Sequence, residues 1–242
     1  MTESLSLEEI FRFDDDGPRW PAVRPKDAAS LVLVRRERKT VRVLMAERHS
    51  SHVFLPGRFV FPGGRLEAAD LRLAIPTDLR PEVRAKVAAG TGVAKARGLA
   101  LAAVRETFEE TGLIVGEPSP ANARTRSPGW ARFFAQGIVP KLERLEFVAR
   151  AVTPPGRPRR FDARFFMADA EDIVGSAGPE ETTGELLNPV WLTLKEAREA
   201  RVLPITRCIL SEVEARLRGD NAPGRPVPFY LLRHGKVVIL SL

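Results

Sequence analysis

The sequence predicts an α/β protein, a sandwich in which helices cover both sides of a mixed β-sheet. Runs rich in β-branched and aromatic residues, bounded by turn residues, recur along the chain and are typical of strands. Segments with a helical spacing of apolar residues lie between and after them. The chain has 242 residues, of which 44% are hydrophobic, so it can bury a substantial core.

The first half of the chain alternates between predicted strands and helices. We expect a loose arm at residues 1–26, followed by a single domain at 27–242. Two β-rich runs at 29–35 and 41–47, joined by a charged turn, predict a hairpin. The remaining predicted elements of this half are a strand at 58–61, a helix within 81–89, a helix at 96–111 capped by Gly112, a strand at 113–115 and a helix at 130–136.

The second half opens with a predicted strand pair, 146–153 and 162–168. The basic loop between these strands, residues 156–160, either meets phosphate or lies in solvent. The remaining predicted elements are a last core strand at 190–193, helices at 194–201 and 205–217, and a tail strand at 237–240.

Three glutamates on the predicted helix 96–111 are the first indication of function. Glu106, Glu109 and Glu110 fall at i, i+3 and i+4, which places three carboxylates on one helix face. Divalent cations would offset their mutual repulsion, and Mg²⁺ or Mn²⁺ suits carboxylate ligands. The alternative is a solvated acidic surface.

A glycine turn upstream favours the cation site. The segment 61–70 contains a Pro-Gly-Gly turn, and glycine lets the backbone come close to a ligand.

Together the turn and the acidic helix resemble the Nudix box, G-x5-E-x7-R-E-U-x-E-E-x-G-U, where U is aliphatic. Five residues separate Gly64 from Asp70, and residues 105–113 supply the second half. Asp70 stands where the family has Glu, and 34 residues replace the usual seven before Arg105. The box is therefore interrupted by an insertion at about 71–98, which we expect to form a lid or flank beside the site.

One branch of the family shares this pattern. Residues 54–70 and 152–166 look like the branch of the animal peroxisomal coenzyme A diphosphatase and its bacterial relatives. The resemblance spans about residues 29–199. It implies a Nudix-type α/β/α sandwich with a mixed sheet and hydrolysis of the pyrophosphate linkage in a nucleoside diphosphate derivative. Coenzyme A and acyl-coenzyme A are the substrates that this branch indicates.

The resemblance also assigns roles to residues. Arg105 would orient a box carboxylate and pair with Asp70. Glu185 is the expected general base or additional ligand, with Glu180 and Glu181 as alternatives. The metal ligands for Mg²⁺ or Mn²⁺ would be Glu106, Glu109 and Glu110. The substrate-binding candidates are Gly63, Gly64 and Arg58.

Charge and composition bear on partners. A net charge of +7 and a pI near 10.1 favour a polyanionic partner, although a solvated arginine-rich surface would give the same values. We expect a small-molecule nucleoside diphosphate substrate, no membrane and no nucleic acid as partners, with a homodimer left open. The single cysteine, Cys208, predicts a buried thiol in a reducing compartment, and the absence of a recognisable signal peptide or membrane span predicts a cytoplasmic protein.

Two alternatives remain at this point. A non-catalytic module that senses a nucleotide would retain the fold without turnover. An RNA 5′-end pyrophosphohydrolase would agree with the basic charge. The three histidines, His49, His52 and His234, lack metal-ligand spacing and are expected at the surface or in loops.

Overall fold

The computed structural model describes residues 9–11, 20–21, 23–38, 40–49, 57–119, 125–178, 182–219 and 225–242. Three residues discussed above, His52, Glu180 and Glu181, lie outside these ranges. Residues 54–56, the start of the segment 54–70, also lie outside them.

Thirteen strands form in the described part of the chain, and nine of them belong to one sheet. The expected hairpin is present and is longer at both ends than predicted. The strands are β1 Lys26–Glu37, β2 Thr40–Arg48, β3 Phe59–Val60, β4 Gly63–Arg65, β5 Leu113–Val115, β6 Glu117–Pro118, β7 Ile138–Val139, β8 Glu146–Val152, β9 Phe161–Asp169, β10 Ile173–Ser176, β11 Leu186–Thr193, β12 Pro228–Arg233 and β13 Lys236–Ser241.

The large sheet is mixed, as predicted. Its strand order is β11-β2-β1-β9-β8-β12-β13, with β3 paired to β2 and β4 paired to β1. The pairs β1–β9 and β8–β12 are parallel, while the other pairs are antiparallel. Two small two-stranded sheets, β5–β10 and β6–β7, lie outside it.

Helices cover both faces of this sheet. Strand β1 divides its side chains between two cores: Leu31 and Leu33 join the first, and Val32 and Val34 join the second. The first core contains α2, α3 and α4, and the second contains α5 and α6. This arrangement confirms the predicted α/β/α sandwich. The helices are α1 Ala68–Arg72, α2 Pro81–Ala88, α3 Val93–Thr111, α4 Pro128–Ala135, α5 Leu194–Glu199 and α6 Pro204–Leu217.

Helix α3 is the central helix of the first core. It begins at Val93, three residues earlier than predicted, and its middle turns are almost entirely buried. Gly112 ends the helix in a left-handed conformation (φ 74°), and its N–H donates to the carbonyl of Phe108 at 2.8 Å. A residue with a side chain would be strained there, so the predicted glycine cap is confirmed.

The insertion was expected to form a lid or flank beside the site; it packs in the first core, and none of its residues lines the cleft, so it is not a lid. Leu79, Val83 and Val87 are each at most 5% exposed and pack in this core. Arg97 on α3 donates to the carbonyls of Leu73, Ile75 and Thr77 and so holds the irregular start of the insertion. Apolar periodicity within α2 therefore reflects core packing.

The sequence interpretation missed several short elements. Neither α1 nor β10 was predicted, and the C-terminal strand β12 pairs in parallel with β8 beside the expected tail strand β13. Within the described residues, no single helix is long and apolar enough to span a membrane. Helices α2 and α3 together have sufficient length and apolar composition, but their axes are bent by 103° relative to each other.

Candidate active site

The glycine turn lies directly against the acidic face of α3. Strand β4 pairs with β1 and thereby places Gly63 and Gly64 beside the helix. The N–H of Gly63 donates to Oε2 of Glu110 at 2.7 Å. A Cβ built on Gly64 would overlap the carboxylate of Glu106. Gly64 therefore permits an approach to the acids that a side chain would obstruct.

Arg105 is the centre of a buried ion-pair network. Its Nε lies 2.9 Å from Oδ1 of Asp70, and its Nη2 lies 3.1 Å from Oδ2, which makes the pair bidentate. Its Nη1 donates to Glu106 at 3.0 Å and to Glu109 at 2.8 Å. Its Nη2 also donates to the carbonyl of Arg65 at 2.9 Å. The structure thus pairs Arg105 with Asp70 as the sequence interpretation anticipated, although Asp70 is one methylene shorter than Glu.

Two further donors hold Asp70, which is fully buried. The backbone N–H of Glu67 donates to Oδ2 at 2.8 Å, as part of the capping box that begins α1. The indole N–H of Trp130 on α4 donates to Oδ1 at 2.8 Å. With Arg105, these groups supply four hydrogen bonds to one carboxylate, which leaves it little rotational freedom.

Two of the acidic residues, Glu106 and Glu110, have raised pKa values. The pKa of Glu106 is about 7, because burial and the charge of Glu109 raise it while Arg105 opposes the shift. Burial, followed by the charge of Glu106, raises the pKa of Glu110 well above its usual range, and the N–H of Gly63 opposes this. For Arg105, burial acts to lower the pKa, but Asp70, Glu106 and Glu109 together raise it.

The three predicted ligands do not form a closed cluster in this conformation. No group of three His, Cys, Asp or Glu residues in the described ranges stands close enough to hold a metal ion. Glu106 and Glu110 lie near each other, and Arg105 holds one oxygen of Glu106 and one of Glu109. The mutually repelling carboxylates of the partly buried Glu106 and the buried Glu110 nevertheless fit a hard divalent cation, because it would satisfy their oxygens and offset their desolvation.

These acids open onto a cleft of about 380 Å³. Its lining combines basic groups, including Arg48 and Arg159, with apolar groups, including Phe61, Phe161 and Phe165. The cleft can therefore receive an anionic group next to the acids and a less polar group elsewhere.

The other predicted site residues divide into two groups. Gly63, Gly64 and Glu185 line the cleft, and the charge of Glu185 acts on Glu110. Arg58, expected to bind substrate, is only 8% exposed and is not among the described residues that line the cleft; it lies just before β3, where its carbonyl accepts from the N–H of Arg48. From the basic loop, Arg159 reaches the cleft, whereas Arg160 donates to the carbonyls of Thr153 and Val23.

Three other predictions concern residues away from the cleft. His49 is partly buried at the end of β2, and His234 lies exposed in the turn between β12 and β13, in agreement with surface or loop positions. Cys208 is half-buried rather than fully buried, and burial raises its pKa to about 11.

Sequence reasoning missed the contribution of α4 to the site. Trp130 and Gly129 lie about twenty residues beyond the acidic helix, and no motif marks them. A Cβ on Gly129 would overlap Oε1 of Glu109, so the α4 backbone comes as close to the acids as the glycine turn does. The only sequence signal was an aromatic helix beginning with Pro-Gly.

Comparisons with known proteins agree with this geometry. No family model matches the chain. A Caenorhabditis elegans protein provisionally named nudix hydrolase 7 is 27% identical over 182 residues, which cover 71% of this chain and 52% of that protein. The chain thus spans about half the length of this relative.

A solved structure shows the fold. The crystal structure of a NUDIX hydrolase from Alicyclobacillus acidocaldarius has a TM-score of 0.59 at 24% identity and covers 78% of this chain and 90% of that one. This chain therefore has the Nudix fold. The curated relative carries the name of a nudix hydrolase, and the solved structure shows the fold that this chain shares.

Proposed function

We propose that this protein is a Mg²⁺- or Mn²⁺-dependent hydrolase that cleaves the pyrophosphate linkage of a nucleoside diphosphate derivative. The observation that carries the proposal is the contact between the glycine turn and the acidic face of α3, at the mouth of a cleft that also contains arginines. The Nudix fold of the chain supports it.

The acidic residues have distinct roles in this proposal. Glu106 and Glu110 would hold the cation, and Glu109 would join them, with its carboxylate oriented by Arg105. When bound, the cation would neutralise the charge of the diphosphate and of the leaving group. Arg48 and Arg159 would bind the phosphate oxygens from within the cleft.

The proposed reaction is attack of water on phosphorus. The water oxygen forms the new P–O bond, the bridging P–O bond breaks, and the leaving phosphate takes the electron pair. Glu185, which lines the cleft near Glu110, accepts the proton of the attacking water at its carboxylate.

We further propose coenzyme A or acyl-coenzyme A as the substrate. The branch pattern of the sequence supports this choice, and so does the cleft, because its phenylalanines suit the apolar part of a substrate whose anionic part meets the acids and arginines.

The test is a hydrolysis panel with products identified by mass. Coenzyme A, acyl-coenzyme A, ADP-ribose, NADH, diadenosine polyphosphates and 5′-capped RNA are incubated with the protein and Mg²⁺ or Mn²⁺. We expect cation-dependent cleavage at the diphosphate, fastest with the coenzyme A compounds. Preference for another nucleotide would overturn the coenzyme A assignment, preference for the RNA would favour 5′-end processing, and binding without cleavage of any compound would favour a sensing module.

The variant Glu110→Gln tests the site itself. We expect kcat to fall by roughly a hundredfold or more, since a bound cation supplies several kcal/mol of transition-state stabilisation. Thermal stability without cation should not decrease, because burial favours the protonated form of Glu110, which glutamine resembles, and the amide oxygen can still accept from the N–H of Gly63. The control is Glu82→Gln, an exposed carboxylate on α2 away from the cleft. Full hydrolysis by Glu110→Gln at saturating Mg²⁺ would show that the ligand assignment is wrong.

A further inference from the structure

We infer that two residues at the start of α4, Gly129 and Trp130, position the acidic residues for cation binding. Trp130 fixes Asp70 through its indole N–H, and Gly129 leaves the space in which the carboxylate of Glu109 lies. The inference deepens the proposed function, on which it rests, by adding two positioning residues that lie outside the acidic helix and the glycine turn.

The first contact acts on the acids through two planar groups, the carboxylate of Asp70 and the guanidinium of Arg105. Oδ1 of Asp70 accepts from both Trp130 and Nε of Arg105, at 2.8 Å and 2.9 Å. Because a guanidinium is planar, fixing its Nε edge against Asp70 also sets the direction of Nη1. Nη1 is the atom that contacts Glu106 and Glu109. Loss of the indole donor therefore loosens Asp70, then Arg105, and then two of the three acids.

The second contact is steric. The backbone of α4 at Gly129 approaches Oε1 of Glu109 so closely that a Cβ would overlap this oxygen. The end of a glutamate side chain can move, so a larger residue at 129 would displace the carboxylate without disturbing the helix. Gly129 thus sets where Glu109 can lie.

Aromatic packing keeps α4 in place. Trp130 stacks on Phe134 with ring centroids 5.5 Å apart, and Phe133 meets Phe108 of α3 edge to face at 5.4 Å. Trp130 and Phe133 are fully buried. The two helices therefore form a rigid unit, which is what a positioning contact requires.

The main readout is Mn²⁺ binding, followed by electron paramagnetic resonance titration, which does not depend on turnover. Trp130→Phe keeps an aromatic ring but removes the N–H donor. We expect the Mn²⁺ dissociation constant to rise about tenfold or more, which is typical for loss of a residue that orients metal ligands. With the panel compound that is cleaved fastest, kcat should fall similarly while KM changes little.

Gly129→Ala separates positioning from stability. Gly129 is not among the described glycines with a positive φ, so its backbone conformation suits alanine, and the melting temperature should change little. Mn²⁺ affinity and kcat should nevertheless fall, because Glu109 is displaced. A purely structural role for this position would not give that combination.

Trp191→Phe is the matched control. It makes the same substitution on β11, at a residue that does not line the cleft, and leaves the indole donor of Trp130 and Gly129 intact. We expect unchanged Mn²⁺ affinity. If Trp130→Phe does not fold, Gly129→Ala decides the inference.

The outcomes distinguish the two proposals. Wild-type Mn²⁺ affinity and kcat in both α4 variants would overturn the inference and leave the proposed function intact. Mn²⁺ binding by the unaltered protein without hydrolysis of any panel compound would overturn the proposed function, while the affinities of the variants would still test the inference. Failure of the unaltered protein to bind Mn²⁺ would overturn the inference as well.

Discussion

At the scale of single residues, the two glycines of the turn meet different obstacles. A Cβ on Gly64 would reach only the carboxylate of Glu106, which is the movable end of a side chain. A Cβ on Gly63 would overlap the side chain and backbone of β1 at Ser30 and Ala29. The backbone there is held by pairing between β1 and β4, so it cannot yield. Gly64 should therefore matter for catalysis and Gly63 for folding.

We predict opposite outcomes for the two alanine variants. Gly64→Ala should lower kcat about tenfold or more by displacing Glu106, with a melting temperature within a few degrees of wild type. Gly63→Ala should lower the free energy of unfolding by roughly 1–3 kcal/mol because of the clash and its φ of 157°. Urea unfolding and kinetics with the fastest panel compound measure both. Equal stability of the two variants would contradict this distinction.

The raised pKa of Glu106 gives a second prediction at this scale. Its pKa is about 7 in the folded protein against 4.5 for the unperturbed group. The folded state thus binds the proton more tightly, so this residue contributes stability below about pH 4.5, and that contribution is lost as the pH rises to about 7.

In the cation-free protein, the difference in melting temperature between wild type and Glu106→Gln should shift in favour of the variant as the pH rises from 4.5 to 7. Adding Mg²⁺ should raise the melting temperature of the wild type, most strongly near pH 7, because the cation requires the ionised carboxylate. Differential scanning fluorimetry with EDTA or excess Mg²⁺ tests both statements. A constant difference across this pH range would show that Glu106 titrates normally.

At the scale of elements, the chain illustrates which features local sequence determines. Helix α3 was predictable because its apolar residues repeat with helical spacing and Gly112 ends it. The β1–β2 hairpin was predictable from two β-rich runs joined by a short charged turn. The approach of Gly63 and Gly64 to the acids followed from their resemblance to a known motif.

Elements defined by tertiary contacts were not predictable. Helix α1 has only five residues, and the capping box at Glu67 and Asp70 is its main local signal. Strand β12 begins at a proline and is fixed by its parallel pairing with β8, which is distant in sequence. Trp130 reaches Asp70 across 60 positions, and no periodicity encodes such a contact.

The insertion provides the prediction at this scale. The guanidinium of Arg97 donates hydrogen bonds to three backbone carbonyls of residues 73–77, at 2.7, 3.0 and 3.3 Å. These bonds satisfy carbonyls that regular secondary structure would otherwise satisfy. Arg97→Met should lower the free energy of unfolding by about 2–4 kcal/mol, because hydrogen bonds from a charged donor are lost and their acceptors remain partly buried.

Urea unfolding measures the loss, and hydrogen exchange should show faster exchange confined first to residues 73–77. The kcat of the folded fraction should not change, since the insertion does not line the cleft. The control is Arg72→Met, an exposed arginine on α1. A large fall in kcat with unchanged stability would instead support the lid role that the sequence suggested.

At the scale of the whole molecule, the N-terminal segment contributes to the cleft. We expected a loose arm, but within residues 9–11 Ile10 is 4% exposed and packs in the second core. Its neighbour Phe11 packs against the same core and lines the cleft. One residue of this pair thus anchors the segment, and the other faces the space proposed for substrate.

The two positions should respond differently to truncation. Phe11→Ala should raise KM by about three- to tenfold with little change in kcat, because it removes apolar contact made equally in the ground and transition states. Ile10→Ala should lower the free energy of unfolding by about 2–4 kcal/mol. Steady-state kinetics and urea unfolding distinguish these effects. Unchanged KM for Phe11→Ala would place substrate elsewhere in the cleft.

The parallel pairing of β1 with β9 has a consequence for synthesis on the ribosome. Lys26 pairs with Phe161, and the register continues to Val34 and Asp169. At ~5–20 residues per second, the early hairpin waits roughly 6 to 25 seconds for its partner strand to emerge. During that interval the apolar edge of β1 is available to other nascent chains, so slower translation between these strands should increase aggregation and chaperone dependence.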